Sequence, residues 1–184
     1  MKNPFLIGEN IYLRMITKDD LNANYREWFN DEEICAYNSH HRFPNYDENM
    51  ADYYTNVIQS RSNLVLAICD KKGDRHIGNV ALENIDTLNQ SAEFAILVGD
   101  KTMWGKGVGK EAARLIIEHG FKELNLHRVY CGTAENNIGM QKLAVALGMK
   151  EEGRRREAMY KNGKRVDVIE YGLLRADYAE KGTV

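Results

Sequence analysis

The sequence predicts a single α+β domain, a mostly antiparallel twisted sheet with flanking helices. Three observations carry that prediction. Leu64–Cys69, His76–Ile85 and Ala92–Val98 read as strands separated only by short turns, as in an antiparallel meander. Two stretches with apolar residues at helical spacing, Val108 to His119 and Met140 to Leu147, alternate with later strand-patterned segments. A glycine-rich turn, Trp104-Gly105-Lys106-Gly107-Val108-Gly109-Lys110, joins the last meander strand to the first of these helices.

Taken in order, Ile11–Ile16 reads as the first strand. Thr17 or Asp19 is placed to cap a helix whose apolar side is Leu21, Tyr25, Trp28 and Phe29. Asn38 to Tyr46 holds His40, His41 and Pro44 without periodicity and reads as a loop. Met50, Tyr53, Tyr54, Val57 and Ile58 give a second helix over about Glu48 to Ser60. Leu64–Cys69 is continuously apolar, which suits a strand covered on both faces. Lys71-Lys72-Gly73-Asp74 is a turn, and Asp86 to Gln90 turns the chain into Ala92–Val98, where Phe94, Ile96 and Val98 share a face. Asn125 ends the helix that follows the glycines. Arg128–Thr133 is a strand reached through that helix, so it and Ala92–Val98 are expected to be parallel neighbours. Met140, Leu143, Ala144 and Leu147 line one face of the next helix, with Gly148 as its C-cap. Lys150–Tyr160 and Val166–Arg175 pair as a hairpin across Lys161-Asn162-Gly163-Lys164. Residues 177–184 read as a frayed tail, and 1–184 as one domain without repeats or linkers.

The totals exclude several classes. A net charge of −2 on 184 residues gives no general basic field for nucleic acid. The Arg154-Arg155-Arg156 cluster is local. Cys35, Cys69 and Cys131 are widely spaced, and the latter two lie in apolar strands, so reduced buried thiols are expected. No apolar run approaches the ~20 residues of a membrane-spanning helix, and the N-terminus carries no signal-type apolar core. A cytoplasmic protein with no membrane partner is the expectation.

Glycines between a strand and a helix let the backbone approach a ligand, and the helix N-terminus offers free N–H groups and the positive dipole end. That is a phosphate cradle. A P-loop does not fit, because Gly109-Lys110 is followed by Glu111 rather than a hydroxyl residue. A dinucleotide fingerprint fits only as Gly107-x-Gly109-x-x-Ala112 and lacks its usual first-strand context.

The spacing x-x-Gly107-x-Gly109 on a strand-turn-helix resembles the pyrophosphate loop of the GNAT acetyltransferase superfamily. Trp104 stands where the family usually has Gln or Arg. Trp-Gly-Lys-Gly is similar to the branch of ribosomal-protein and amino-sugar acetyltransferases. The resemblance extends to Asn10-Ile11-Tyr12-Leu13-Arg14, Trp28-Phe29-Asn30-Asp31, Glu135-Asn136-Asn137 with Leu147-Gly148-Met149, and the Tyr160–Asp167 hairpin. It covers nearly the whole chain. It implies a GNAT-like fold in which the two parallel strands splay apart beside the cradle. It implies acetyl-CoA as donor and no metal. The main chain of Trp104, Gly105, Lys106, Gly107, Val108, Gly109 and Lys110 would hold the pyrophosphate. Ile96, Leu97 and Val98 would run along pantetheine, Asn137 (or its neighbour Asn136) would reach the same arm, and Lys142 would lie near the adenosine end. The competing role for Asn137 is a helix cap, to which the grip is preferred.

Amine acetylation needs a base for the amine and a donor for the developing oxyanion. Glu93, on the cradle strand, is the first choice of base. Glu83 on the neighbouring strand is the second, Glu135 is a further carboxylate, and His40 and His41 are rivals from the loop. Adjacent histidines point apart in extended chain, so they do not make a metal site. Ala144 stands where many family members have the tyrosine that protonates the leaving sulfur. Tyr130 or water would serve instead, or the thiolate leaves unaided, since a thiol pKa is near ~8.5. The expected activity is acetyl transfer to a primary amine, on a small amino-sugar nucleotide or a protein N-terminus, the amino sugar ranked first. The rival is a non-catalytic acyl-CoA-binding regulatory protein, favoured only by Ala144. A homodimer is compatible with the sequence.

Overall fold

The computed structural model describes residues 1–21, 25–44 and 46–181. Eight strands form one mixed sheet. They are β1 (Leu6–Ile7), β2 (Ile11–Met15), β3 (Leu64–Asp70), β4 (His76–Asp86), β5 (Ser91–Val98), β6 (Arg128–Ala134), β7 (Lys150–Lys161) and β8 (Lys164–Leu174). Their order across the sheet is β1-β2-β3-β4-β5-β6-β8-β7. Every neighbouring pair is antiparallel except β5 and β6. The helices are α1 (Lys18–Asp20), α2 (Arg26–Phe29), α3 (Asp47–Tyr53), α4 (Val108–Lys122), α5 (Ile138–Leu147) and α6 (Arg175–Lys181). The architecture is α+β.

Alternation along the strands sorts side chains onto two faces. Leu66, Ile68, Val80, Leu82 and Phe94 pack against Ala112, Ile116 and Ile117 of α4 and Ala144 of α5. Ile116 and Ile117 are fully buried, each contributing roughly 1.5–3 kcal/mol relative to exposure. Val65, Ala67 and Ala81 turn to the other face, under Tyr25, Trp28 and Phe29. Here the strands carry small residues, and the aromatic rings fill the space above them.

The parallel pairing of β5 and β6 is short. Ser91, Ala92 and Glu93 pair with Arg128, Val129 and Tyr130, and no pairing follows. Phe94 to Val98 therefore runs on without a β6 partner. On its other side β5 stays paired with β4 as far as Gly78 and Val98.

Local sequence accounts for most boundaries. Thr17 caps α1 as one half of a capping box, with Asp20 reaching back to the Thr17 N–H at 2.7 Å. Gly148 ends α5 in the left-handed conformation at φ 91°. Asn162 and Gly163, at φ 50° and 76°, make the tight turn between β7 and β8.

Four expectations need correction. The helix over residues 48–60 is α3 followed by a π-helical stretch, Tyr54–Ile58, with the Gln59 N–H on the Tyr54 carbonyl at 3.1 Å. The strand before the glycines does not pass directly into a helix, because a 3-10 turn, Lys101–Met103, intervenes. The short β1 on β2 went unforeseen, two residues being too few for a periodic signal. The tail is ordered through Lys181 as α6. Tyr178 packs on Phe121 of α4 with ring centroids 5.3 Å apart, and Asp177 pairs with Lys150 at 2.9 Å. Residues 182–184 of the expected tail, and 22–24 of the first predicted helix, lie outside the described residues.

Candidate active site

The glycine turn adopts the conformation its composition demands. Gly105 and Gly107 have φ of 73° and 80°, a region that disfavours any residue with a Cβ. Gly107 is the N-cap of α4 and has no side chain to bond the first-turn N–H groups. A Cβ built at Gly105 or Gly107 would meet nothing within 4 Å, so the concave side of the turn is open. Lys106 and Lys110 are exposed beside it. Glu111, the acid of the first turn, accepts from the Asn10 and Ile11 N–H groups at 2.9 and 3.3 Å. Open N–H groups, two lysines and a carboxylate engaged with β2 suit a diphosphate.

The Trp104 side chain is a brace. It is 42% exposed, and its Nε1–H donates to the Val98 carbonyl at 2.7 Å. This ties the turn to the end of β5. Trp28 lies on the same strand end from the other face, where a Cβ on Gly99 would overlap its ring.

The register decides which main-chain groups of β5 face the gap left by β6. Gly99 N–H donates to Ile77 O at 3.0 Å, and Gly78 lies opposite Val98. In an antiparallel ladder with that phase, Leu97 directs its N–H and C=O toward β4. Ile96 and Val98 direct theirs toward the gap. Of the three residues expected along pantetheine, Ile96 turns both main-chain groups to the gap, Val98 offers its N–H while its carbonyl takes the Trp104 Nε1–H, and Leu97 offers neither.

Asn137 is the N-cap of α5, its Oδ1 accepting from the Met140 N–H at 3.1 Å. The capping role, ranked second from the sequence, is therefore the one the side-chain oxygen performs, because the chain leaves β6 directly into a helix there. Asn136, just before α5, and Lys142, within it, are exposed.

Beside the gap, on the face opposite α4, lies a cavity of about 180 Å³. Its floor includes Ala81 and Ala95, small residues that keep it open. Its roof is made by Tyr25, Phe29 and Tyr53, with His40 from the loop after α2. Tyr25 and Tyr53 stack at 6.0 Å, and the His40 ring packs on Phe29 at 4.3 Å. The loop is fastened to the β7–β8 hairpin by Lys161 Nζ on the His40 carbonyl at 2.8 Å and Arg42 Nη2 on the Tyr160 carbonyl at 3.1 Å. The loop and the β7–β8 hairpin thus meet. His41, at φ 59°, is exposed and is not among the residues lining the cavity. Among the described residues no group of three or more His, Cys, Asp or Glu is placed to hold a metal.

The carboxylates separate by position. Glu83 lines the cavity; Glu93, its direct partner across β4 and β5, does not, and accepts instead from Asn84 Nδ2 at 3.2 Å. Burial, then the charge of Glu93, pushes the Glu83 pKa upward. Glu83 in turn adds to the burial that raises the phenols of Tyr25 and Tyr53. Glu135 is held elsewhere, in an ion pair with Arg154 at 2.7 Å and on the Asp167 N–H. Burial, then Lys161, lowers the His40 pKa. Ala144 is fully buried in the core, and Tyr130 stands on β6 at the foot of the gap with its pKa raised by burial and Glu93.

Sequence reasoning missed Asn79, which also lines the cavity. The one available signal was a polar residue inside the apolar run Ile77-Gly78-Asn79-Val80-Ala81-Leu82.

Comparison with known proteins agrees with this geometry. Residues 10–150 match the family model of the acetyltransferase (GNAT) domain. The chain is 29% identical over 181 residues to N-acetyltransferase p20 of Bacillus licheniformis, covering 95% of this chain and 98% of that one. It is 26% identical over 179 residues to the spermidine N(1)-acetyltransferase of Vibrio cholerae, covering 95% and 99%. The crystal structure of spermidine N-acetyltransferase from Vibrio cholerae in complex with CoA and spermine superposes with a TM-score of 0.85 at 25% identity, over 92% of this chain and 98% of that one. A strand that outruns its parallel partner, a glycine cradle at its end and a family match over most of the domain lead to one conclusion: this chain belongs to the GNAT family and is an N-acetyltransferase that uses acetyl-CoA.

Proposed function

We propose that the acceptor is a slender primary amine whose nitrogen enters the cavity beneath Tyr25, Phe29 and Tyr53, with Glu83 as the general base. The observation that carries this reading is the position of Glu83: the one glutamate lining the cavity is also one whose pKa is raised toward neutrality. A base is most useful when its pKa lies near the working pH.

Acetyl-CoA supplies an acyl group activated as a thioester. The first-turn N–H groups of α4 and the main chain of Gly105 and Gly107 hold the diphosphate, with Lys106 and Lys110 adding charge. Ile96 and Val98 offer main-chain groups to the pantetheine arm, and the Val98 N–H serves the thioester carbonyl oxygen as its negative charge develops. Glu83 takes the amine proton, the nitrogen–carbon bond forms, and the carbon–sulfur bond breaks. Five residues along the strand separate the level of Glu83 from that of the Val98 N–H, about 17 Å, so the proton travels through a chain of waters. Ala144 leaves no hydroxyl for the departing sulfur, which leaves as a thiolate and is protonated by solvent.

A cavity of this size takes the amino end of a peptide or an amino sugar while the remainder lies outside, under the loop and hairpin. A second reading is a polyamine, favoured by the similarity to spermidine acetyltransferase along nearly the whole chain. A chain bearing several positive charges calls for several carboxylates, whereas this cavity is lined by one. The test is CoA release with amino-sugar nucleotides, short peptides with free N-termini, and spermidine, with product masses measured. Acetylation of one class names the acceptor. No acetylated product with any amine, while acetyl-CoA binds, overturns the reading.

A further inference from the structure

Asn79 lies at the end of the cavity nearest the gap, four residues along β4 from Glu83 and on the same face, roughly 13 Å away. It is only 7% exposed, and its Nδ2 has no hydrogen-bond partner. Among the described residues it is the one buried side-chain donor or acceptor in that condition. A buried N–H₂ left unpaired is a standing penalty unless something supplies an oxygen.

The orientation of this amide follows from its neighbours. His76 Nε2 lies 2.9 Å from Gly78 O and 2.9 Å from Asn79 Oδ1. A carbonyl only accepts, so Nε2 carries a proton. A protonated Nε2 donates to Oδ1 and repels an amide N–H₂. Asn79 is therefore held with its oxygen on His76 and its nitrogen turned away. His76 is itself fixed by stacking on Tyr25 at 6.2 Å and by its edge contact with Trp28 at 4.9 Å. Behind it stands Asp20, 3.4 Å from Nδ1 and gripped by the Arg14 guanidinium at 2.6 and 2.8 Å. Four buried or half-buried polar side chains thus lie in one line, and the amide nitrogen at its end, buried beside the cavity that Asn79 lines, is unpaired.

Asn79 is opposite Leu97, level with the main-chain groups of Ile96 and Val98 that face the gap. It is nearer the place of acyl transfer than Glu83 is. We infer that Asn79 Nδ2 is a specificity contact for the acceptor: it donates to a neutral oxygen, a carbonyl or hydroxyl, carried within a few bonds of the reacting amine. The favoured acceptors are then α-amino amides, as at a peptide N-terminus, or vicinal amino alcohols, as in an amino sugar. An unsubstituted polyamine has no oxygen to give this donor. The inference rests on the acceptor reading above.

The test uses matched amines, glycinamide against propylamine for the carbonyl and ethanolamine against propylamine for the hydroxyl, with the intact protein and acetyl-CoA. The quantity read is the ratio of kcat/KM within each pair, compared between wild type and Asn79→Asp. That comparison cancels the amines' own basicities. Asn79→Asp keeps an oxygen for His76 Nε2, removes the N–H₂ donor and adds an ionisable group; Asn79→Leu, of similar volume and uncharged, is the second variant and separates loss of the donor from that charge. In at least one pair the wild-type ratio is expected to exceed that of either variant by about ten- to a hundredfold, the discrimination of one buried hydrogen bond left unmade. The carbonyl and hydroxyl pairs tell which oxygen it is. A purely structural role for Asn79 lowers turnover of both members alike and leaves the ratio unchanged, which overturns the inference. Calorimetric binding of the same amines in the presence of CoA gives the ratio without turnover. A binding preference without acetylated product sinks the acceptor reading and upholds the Asn79 contact. Acetylation with equal ratios in wild type and variants does the reverse. No binding and no product sinks both.

Discussion

Replacing Glu83 with Gln removes the base while keeping the shape of the cavity wall. The carboxylate lies five residues down the sheet from the level of the Val98 N–H, so it acts through a chain of waters. Water remains when the carboxylate is gone, which puts the loss at the low end of the range for general bases, about 10²-fold in kcat, or about 2.7 kcal/mol of barrier. The pH profile carries the finer test. The Glu83 pKa is raised, by burial first and by the Glu93 charge second. A base works only when ionised, so kcat rises with pH through that raised pKa. Glu93→Gln takes away the opposing negative charge, lowers the Glu83 pKa and moves the acid limb to lower pH. Glu83→Gln abolishes the limb. The assay is kcat at saturating acetyl-CoA and amine from pH 5 to 9, with CoA affinity measured in parallel as a check on the fold. A Glu83→Gln enzyme with the wild-type plateau and limb, or a Glu93→Gln limb displaced upward, refutes the assignment.

Gly107→Trp adds a side chain at φ 80° over the open side of the cradle. It should raise the Kd for CoA at least tenfold and lower unfolding free energy by roughly 1–2 kcal/mol, read by calorimetry and denaturant unfolding. Trp104→Phe deletes the hydrogen bond to Val98 O; CoA affinity should fall about fivefold, about 1 kcal/mol, with kcat at saturation changed less. Asp20 is raised by burial, but the Arg14 fork and the Thr17 N–H and hydroxyl outweigh this and hold its pKa at about 2. A depressed carboxylate contributes stability above its unfolded pKa and loses it as pH falls through the folded one. Unfolding free energy should therefore drop by about 2–3 kcal/mol between roughly pH 4 and 2, and Asp20→Asn should flatten that drop in denaturant melts. Cys35, Cys69 and Cys131 are free and buried, and burial, with nearby Glu170 and Glu93, pushes Cys131 up to about 12. A thiol dye should leave the native protein unlabelled and titrate all three after denaturation, so dye-based CoA assays read the released thiol.

The cradle was legible because it is local. Three glycines between a strand and a helix define backbone conformation within a few residues, and the observed φ values at Gly105 and Gly107 follow from composition alone. The parallel relation of β5 and β6 was legible because a helix between two strands permits little else. The carboxylates were not. Glu83, Glu93 and Glu135 look alike in one dimension, each a charged residue on or beside a strand. Only packing separates them: Glu83 under an aromatic roof, Glu93 outside the cavity wall, and Glu135 paired with Arg154. The capping bond of Asn137 depends on where α5 begins.

The sequence by itself determined the sheet's antiparallel meander, the helix periodicities, the glycine cradle, the loss of a tyrosine at Ala144 and the family. These are properties of near neighbours along the chain, where steric and hydrogen-bonding rules act over a few residues. Tertiary structure alone decided that His40 packs on Phe29 and lines the cavity, and that the Asn79 Nδ2 is left unpaired beside it. Each of those depends on residues brought together from distant parts of the chain. Arg14 lies on β2, Asp20 on α1 and both His76 and Asn79 on β4, and only the folded sheet places the four in one line. The direction of a buried polar group is set by the partners that satisfy its other end, and no local pattern specifies those partners.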